Sequence, residues 1–417
     1  MADAAADRLR ALVRPSFGWL TLAAAGGLVL LGITAIQTIA PGEAATQKRN
    51  LAIALLGMLA MLLPHPRLIG ALAYPMFGLA LALLIFVLLP FVPESIVKPI
   101  NGARSWINLR VMNFQPSEMA KLTFVLALAW YLRYRDSHRS LLGLLGPFFI
   151  MLVPVGLIIV EPDLGQSLAF GPTLLVMLIA AGAKLRHLFS IVGLGVLVVA
   201  INVGLVLASP FGEAQTNLAP WLQTHQQRRI TSMIKLASGD TSEVQTDAYQ
   251  QHKAMTLSGA GGLHGFGAER TATLFRFYDL PEAHNDMIYA VIINRWGMLG
   301  GLAVMGLYLT LIGSMLAVAA TTKDPVGRLA CVGFAAIFLS QAVINIGMTI
   351  GVLPITGITL PLVSYGGSSL LFSFMMVGLV LNFASRRPTY MTRESFEFDR
   401  PARAGRRQLP RRTAPSR

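Results

Sequence analysis

A single cysteine, Cys331, stands in this sequence of 417 residues, so no disulfide can form within the chain. It lies in an apolar run and reads as a packed helix residue. Charge is also scarce: 13% of residues are charged, where soluble domains carry about 25%. Acids are the scarcer sign, 20 Asp and Glu against 34 Lys and Arg. Hydrophobic residues make up 54%, and the mean hydropathy is +0.61. A chain with so little polar surface cannot enclose its apolar side chains in a water-soluble core. That excludes the two or three soluble domains its length alone suggests. No short tandem repeat is present, which excludes a solenoid. The glycine-rich run 259–267 has no βαβ frame around it, so it is not a nucleotide loop but a loop of close backbone approach. His252, His264 and His284 lack zinc spacing. No cleavable signal peptide is evident, and the first apolar run, from Phe17, is long enough to be a retained anchor.

What is present is a series of apolar runs. A spanning helix needs about 20 mostly apolar residues. Ten runs qualify as spans: 17–40, 50–64, 68–92, 118–132, 141–160, 166–183, 188–208, 287–320, 328–352 and 362–385. The expected fold is an all-α membrane protein, a bundle of about ten transmembrane helices with a large extracytoplasmic loop, 209–286, between helices 7 and 8. The run 287–320 is too long for one straight span, and Gly297, Gly300 and Gly301 are where it would bend or break. The parts are a cytoplasmic N-terminal segment, 1–16, a polytopic domain, 17–386, and a basic tail, 387–417, expected to be a disordered cytoplasmic segment. With the N-terminus in the cytoplasm, 21 of the 34 basic residues and 7 of the 20 acidic ones face inward. The whole net charge of +14 then lies inside, and the outer side balances. This places both termini of a multi-pass membrane protein in the cytoplasm. Its basic excess serves orientation and contact with anionic membrane lipids, not nucleic acid.

Polar residues near a bilayer core are costly and mark function by default. Here they gather at the outer helix ends. Glu118 and Lys121 share a face on a first helical turn after Pro116, as a local ion pair or as a paired Lys aimed at phosphate. In Glu161-Pro162-Asp163 the proline ends a span, and Asp163 either caps the next helix or joins Glu161 in holding a divalent cation. Asp286 opens a long apolar helix, as its N-cap or as a base whose pKa is raised among His284 and Glu282. Arg228, Arg229 and Lys253 make the large loop either an anion cradle or a solvated charged loop.

Five motifs in order carry a resemblance: Asn-Gly-Ala-Arg-x-Trp at 101–106, Gln-Pro-Ser-Glu-x-x-Lys at 115–121, Glu-Pro-Asp-Leu-Gly at 161–165, Leu-Pro-Glu-Ala-His-x-Asp at 280–286 and Ser-Tyr-Gly-Gly-Ser-Ser at 364–369. The chain resembles the SEDS family of bacterial cell-wall polymerases, the RodA/FtsW proteins. The resemblance implies a peptidoglycan glycosyltransferase acting on lipid II, a disaccharide-pentapeptide on undecaprenyl pyrophosphate. It implies a class B penicillin-binding protein as the crosslinking partner, within an elongation or division complex. By motif position Asp286 matches the family's essential aspartate, Glu118 and Lys121 its functional pair, and Asp163 its acidic position after the fifth helix. Two departures stand out: Asn294-Arg295-Trp296-Gly297 where many members carry an acidic pair, and Lys253 where many have Gln. The short N-terminal segment leans toward the RodA type.

Lipid II is α-linked and the glycan is β-linked, so one in-line displacement inverts the centre. Neutralised pyrophosphate leaves without a proton, so one general base is enough, where a glycosidase needs two carboxylates. Asp286 is the expected base, with Lys121 and Glu118 as catalytic partners. Arg104, Asp163, Arg228, Arg229, Lys253, His284, Ser364 and Ser368 are the expected substrate-binding residues. Asp286 or Asp163 would hold any divalent cation, Mg²⁺ or Mn²⁺, and no organic cofactor is expected. A lipid-precursor flippase or transporter is the alternative, and a non-catalytic scaffold a third reading.

Overall fold

The computed structural model describes residues 16–97, 104–161, 163–208 and 249–386. Helices occupy all ten apolar runs. Six are long and apolar enough to cross a membrane by length and composition: Phe17–Ile39, Pro66–Leu88, Leu142–Val160, Ile288–Thr321, Pro325–Thr349 and Gly367–Ser385.

Helix α1 (Phe17–Ile39) buries a stripe of small residues, Gly18, Ala24, Ala25, Gly32 and Ala35. Small residues let backbones approach closely in an apolar medium. At Gly32 the approach is extreme, for a Cβ there would lie 2.2 Å from the carbonyl oxygen of Val363. Helix α2 (Pro41–Leu62) starts nine residues earlier than its apolar run, because Pro41 suits a first helical turn. The added stretch carries Glu43, Gln47, Lys48, Arg49 and Asn50. After α3 (Pro66–Leu88) the chain forms a two-stranded antiparallel hairpin, β1 (Ile107–Asn108) and β2 (Asn113–Phe114), which leads into α4 (Pro116–Leu132). Every residue of α4 from Pro116 to Ala129 is buried, so it is the central helix of the bundle. Its Phe124 packs on Phe170, ring centroids 5.1 Å apart.

The run 166–183 is broken into α6 (Leu164–Leu168) and α7 (Phe170–Ala180), which follow α5 (Leu145–Val160). Helix α8 spans Leu185–Ala208. Much of the expected large loop lies outside the described residues, but its second part is helical: α9 (Tyr249–Ala260) and α10 (Gly267–Tyr278). Both bury a few apolar residues against the bundle, among them Ala254, Leu257 and Phe275. They are too short and too polar to have registered as spans.

Helix α11 (Ile288–Thr321) breaks at Gly297, whose φ of 71° and ψ of −167° are non-helical. Gly300 and Gly301 stay helical. The turn after α9 supplies the bonds the break removes. Met298 N donates to Gly262 O at 2.8 Å, and Phe266 N donates to Asn294 O at 2.9 Å. Re-satisfaction of this kind is what makes a broken helix tolerable in lipid. Helix α12 (Pro325–Thr349) is capped by Asp324. An irregular segment, 350–366, follows before α13 (Gly367–Ser385), so the last helix begins five residues later than its apolar run. Asn382 closes the opposite end by donating to the carbonyls of Met61, Leu62 and Pro64.

Candidate active site

Three motifs far apart in sequence meet at one end of the bundle. On the first turn of α4, Lys121 Nζ lies 2.8 Å from Glu118 Oε1, and both side chains are buried. Lys121 also donates to Gln166 Oε1 on α6 at 2.8 Å. This is an interior ion pair that ties two helices together, not a solvated anchor. Asp163 caps α6, accepting from Gln166 N at 3.3 Å through Oδ1. Its other oxygen, Oδ2, accepts from Gln115 Nε2 at 2.9 Å. Asp163 is therefore both a cap and a node of the network. Burial pushes its carboxyl up to about 6.

Glu161 is the outlier. Its side chain is 1% exposed, and its carboxylate has no strong hydrogen-bond partner among the described residues. Burial and, next, the nearby Asp163 charge push it up to about 8, the Ser105 hydroxyl beside it holding it down only slightly. Among the described residues no group of three or more His, Cys, Asp or Glu side chains could hold a metal ion. The carboxylates beside one another here are Glu161, with no strong partner, and Asp163, whose two oxygens already accept from Gln115 and Gln166; hard divalent cations commonly take one or two protein carboxylates.

Asp286 is not an N-cap. Helix α11 begins at Ile288 with Met287 as the cap residue, which sets aside the purely capping reading of this aspartate. Its backbone is held instead: Asp286 N donates to Glu282 O at 3.1 Å, and Asp286 O accepts from Asn345 Nδ2 at 2.8 Å. Asn345 also donates to Ile358 O at 2.7 Å. The segment 356–358 is the link between the two halves of the site. A Cβ on Gly357 would lie 3.6 Å from Asp286 Oδ2, and one on Gly165 of α6 would lie 2.2 Å from Thr356 O. Those glycines let the aspartate and the Lys121–Gln166–Asp163 network share one wall. Glu282 (φ 51°) and Leu362 (φ 68°) adopt left-handed backbone nearby, strain of a kind that collects at functional sites.

Several expected substrate contacts also make bonds within the fold. The Ser368 hydroxyl accepts from Gln115 N at 2.9 Å and donates to Asn113 O at 2.7 Å. The Ser364 hydroxyl accepts from Leu360 N at 2.8 Å and donates to Asn285 O at 2.6 Å. Lys253 donates to the carbonyls of Tyr278 and Asp279, capping the C-terminus of α10 where a cation is favoured. Arg104 donates to Val92 O at 2.8 Å and braces the loop after α3. The His284 ring sits edge-on to Tyr365, centroids 5.5 Å apart. Arg228 and Arg229 lie outside the described residues.

The motifs passed over two groups on α2. Gln47 bridges Ser364 O and Gly366 N, and Glu43 takes a hydrogen bond from Tyr365. Burial and that bond push the Tyr365 hydroxyl up to about 12. The only signal in the sequence was a polar cluster just before an apolar run. An apolar cavity of about 460 Å³ opens along α11 from Tyr289, one turn past Asp286, to Met305.

The family model described as cell cycle protein, FtsW/RodA/SpoVE, matches residues 16–388. Among curated relatives, a probable peptidoglycan glycosyltransferase FtsW of Coxiella burnetii is 34% identical over 316 residues, covering 74% of this chain and 77% of the relative. Stage V sporulation protein E of Bacillus subtilis is 33% identical over 310 residues, covering 72% and 75%. Among solved structures, a chain of a peptidoglycan synthase complex that coordinates polymerization and crosslinking aligns with a TM-score of 0.71 at 29% identity, covering 89% of this chain and 98% of that one. Rod shape determining protein RodA of Thermus thermophilus aligns at 0.62 and 28%, covering 88% and 97%. With a matching family model over nearly its whole length and a bundle of the same shape, the chain belongs to the FtsW/RodA/SpoVE family.

Proposed function

We propose that this chain is a peptidoglycan glycosyltransferase that polymerises lipid II into glycan strands at the outer face of the cytoplasmic membrane, during elongation or division. Both termini lie in the cytoplasm in this reading, and a class B penicillin-binding protein crosslinks the product. The observation that carries it is Asp286, clamped by its backbone outside the capping position and sharing the 356–358 wall with a buried Lys121–Glu118 pair. The buried charged side chains Glu118, Lys121 and Glu161 lie at one bundle end and not at its middle, which suits an enzyme fed from one leaflet better than a transporter.

Asp286 takes the proton of the acceptor sugar's 4-hydroxyl as that oxygen attacks the anomeric carbon of the donor. The bond to pyrophosphate breaks from the opposite face, so α becomes β. Lys121, held by Glu118 and Gln166, keeps one N–H to offer the leaving pyrophosphate, and Arg104 adds charge at the rim. Glu161 and Asp163 would hold a divalent cation, Mg²⁺ or Mn²⁺, which when bound neutralises pyrophosphate oxygens as a Lewis acid. The apolar cavity along α11 gives a polyprenyl tail a path into the bilayer from the site.

The test is polymerisation of lipid II by the purified protein, with and without a class B penicillin-binding protein and divalent cation. Asp286→Asn should insert normally and make no strands. Strands of normal length from that variant would overturn the assignment.

A further inference from the structure

Gln47 lies on α2, in none of the five motifs. Its carboxamide is 1% exposed and spans one residue of backbone: Nε2 donates to Ser364 O at 3.1 Å, and Oε1 accepts from Gly366 N at 3.2 Å. The same turn holds the residues just before Asp286. Tyr365 N donates to His284 O at 2.9 Å, and the Ser364 hydroxyl donates to Asn285 O at 2.6 Å. One side chain thus bolts the 364–366 turn to α2, and the turn carries 284–285. Glu43, one turn earlier on α2, takes the Tyr365 hydroxyl and reinforces the same connection.

The position demands this residue type. It must give one hydrogen bond and take one, which a carboxamide does and a carboxylate or ammonium cannot. Left-handed backbone at Leu362 and Glu282 on the two clasped segments persists only where the surroundings over-determine it. We propose that Gln47 is a positioning residue that sets the Asp286 carboxylate against the acceptor hydroxyl by holding the 364–366 turn. The proposal rests on Asp286 acting as the base.

Gln47→Met keeps the length and removes both bonds, and Gln47→Glu keeps the acceptor but not the donor. In lipid II polymerisation by the full-length protein, kcat should fall about 10- to 100-fold in Gln47→Met, the cost of misplacing a reacting group by about 1 Å. KM should stay within about threefold, because Gln47 touches no substrate. Gln47→Met with Ser364→Ala should lose less than the product of the two single losses, since both cut one connection. Gln47→Met with Asp324→Ala, at the other bundle end, should multiply. Unchanged kcat, a loss confined to KM, or independent effects of Gln47 and Ser364 would each overturn the proposal. Where Gln47→Met does not insert, Gln47→Glu and Ser364→Ala carry the same cycle. If Asp286→Asn is dead while Gln47→Met keeps wild-type kcat, the positioning role fails alone. If Asp286→Asn polymerises, the base assignment itself has failed.

Discussion

Two aspartates cap helices in this bundle by the same bond, and they sit at opposite ends. Asp324 opens α12 by accepting from Gly327 N at 2.9 Å. Asp163 opens α6 by accepting from Gln166 N at 3.3 Å. Asp163 then reaches Gln115, 48 residues away in sequence, and through Gln166 it joins Lys121 and Glu118. The asparagines repeat the contrast. Asn382 closes the carbonyl end of α2, whereas Asn345 holds Asp286 and the irregular segment at Ile358. Arg110, Asp279, Glu282 and Leu362, the non-glycine residues of positive φ among those described, all lie on the loops of the Asp163 end. Capping is thus common to both ends and diagnoses nothing. Buried asparagines bonded to distant carbonyls occur at both ends too; the site is marked by its buried charged side chains, Glu118, Lys121 and Glu161, and by the strained backbone beside them.

The strongest test of that contrast removes the cation from the buried network. Lys121→Met leaves the Glu118 carboxylate in the interior without its partner, a change that costs about 3–5 kcal/mol. The detergent-solubilised variant should melt well below wild type and make no glycan. Adding Glu118→Gln should restore much of the melting temperature but not the activity, which separates stability from chemistry. If the double variant melts as low as the single one, the pair is not the interior ion pair described.

The next effect is on pH dependence. Burial pushes the Glu161 carboxyl up to about 8 from its ordinary 4.5, so the native state keeps a proton that the unfolded chain gives up. Between those values the folded protein binds more protons, and stability falls as pH rises from about 4.5 to about 8, then levels off. Asp163 adds the same sign over the narrower window from 3.8 to about 6. Glu161→Gln should flatten the melting curve measured without divalent cation between pH 6 and 9, and should be the more stable protein at pH 9. Parallel curves for wild type and variant would mean that Glu161 is solvated or paired. Where Glu161 and Asp163 hold an ion, Mn²⁺ should raise the wild-type melting temperature and leave Glu161→Gln nearly unmoved.

Much of this architecture was legible in the sequence, and the rest was withheld for identifiable reasons. The apolar runs located the helices because lipid demands continuous hydropathy. Gln115, Lys121, Asp163 and Asp286 stood out because charged and amide groups at helix ends in lipid are costly and few. Helices α9 and α10 were read as loop, since their buried faces amount to residues such as Leu257 and Phe275. Three glycines offered to break α11, and only the turn at 262–266 decides for Gly297. Lys253 and Arg104 show their charge in sequence, but not the carbonyls of Tyr278, Asp279 and Val92 that they also reach. For Ser364 and Ser368 the hidden part is similar: a hydroxyl's backbone partners are invisible until the chain folds. Gln47 had no signal beyond being polar near a helix start, where most such residues are solvated.

The smallest effect decides whether the two ends differ in kind. Asp324→Ala should cost about 1 kcal/mol, the usual value of an N-cap. Polymerisation of lipid II should be unchanged, because among the described residues the Asp324 carboxylate bonds to the turn it opens. Asp163→Ala removes an equivalent cap, and with it the tie to Gln115 that steadies the start of α4 near Lys121. Its loss of kcat should therefore far exceed what its change in melting temperature predicts from the Asp324→Ala result. If the two alanine variants lose stability and activity in the same proportion, Asp163 is a cap and nothing more. The network around it would then be scaffolding, and Asp286 alone would have to carry the site.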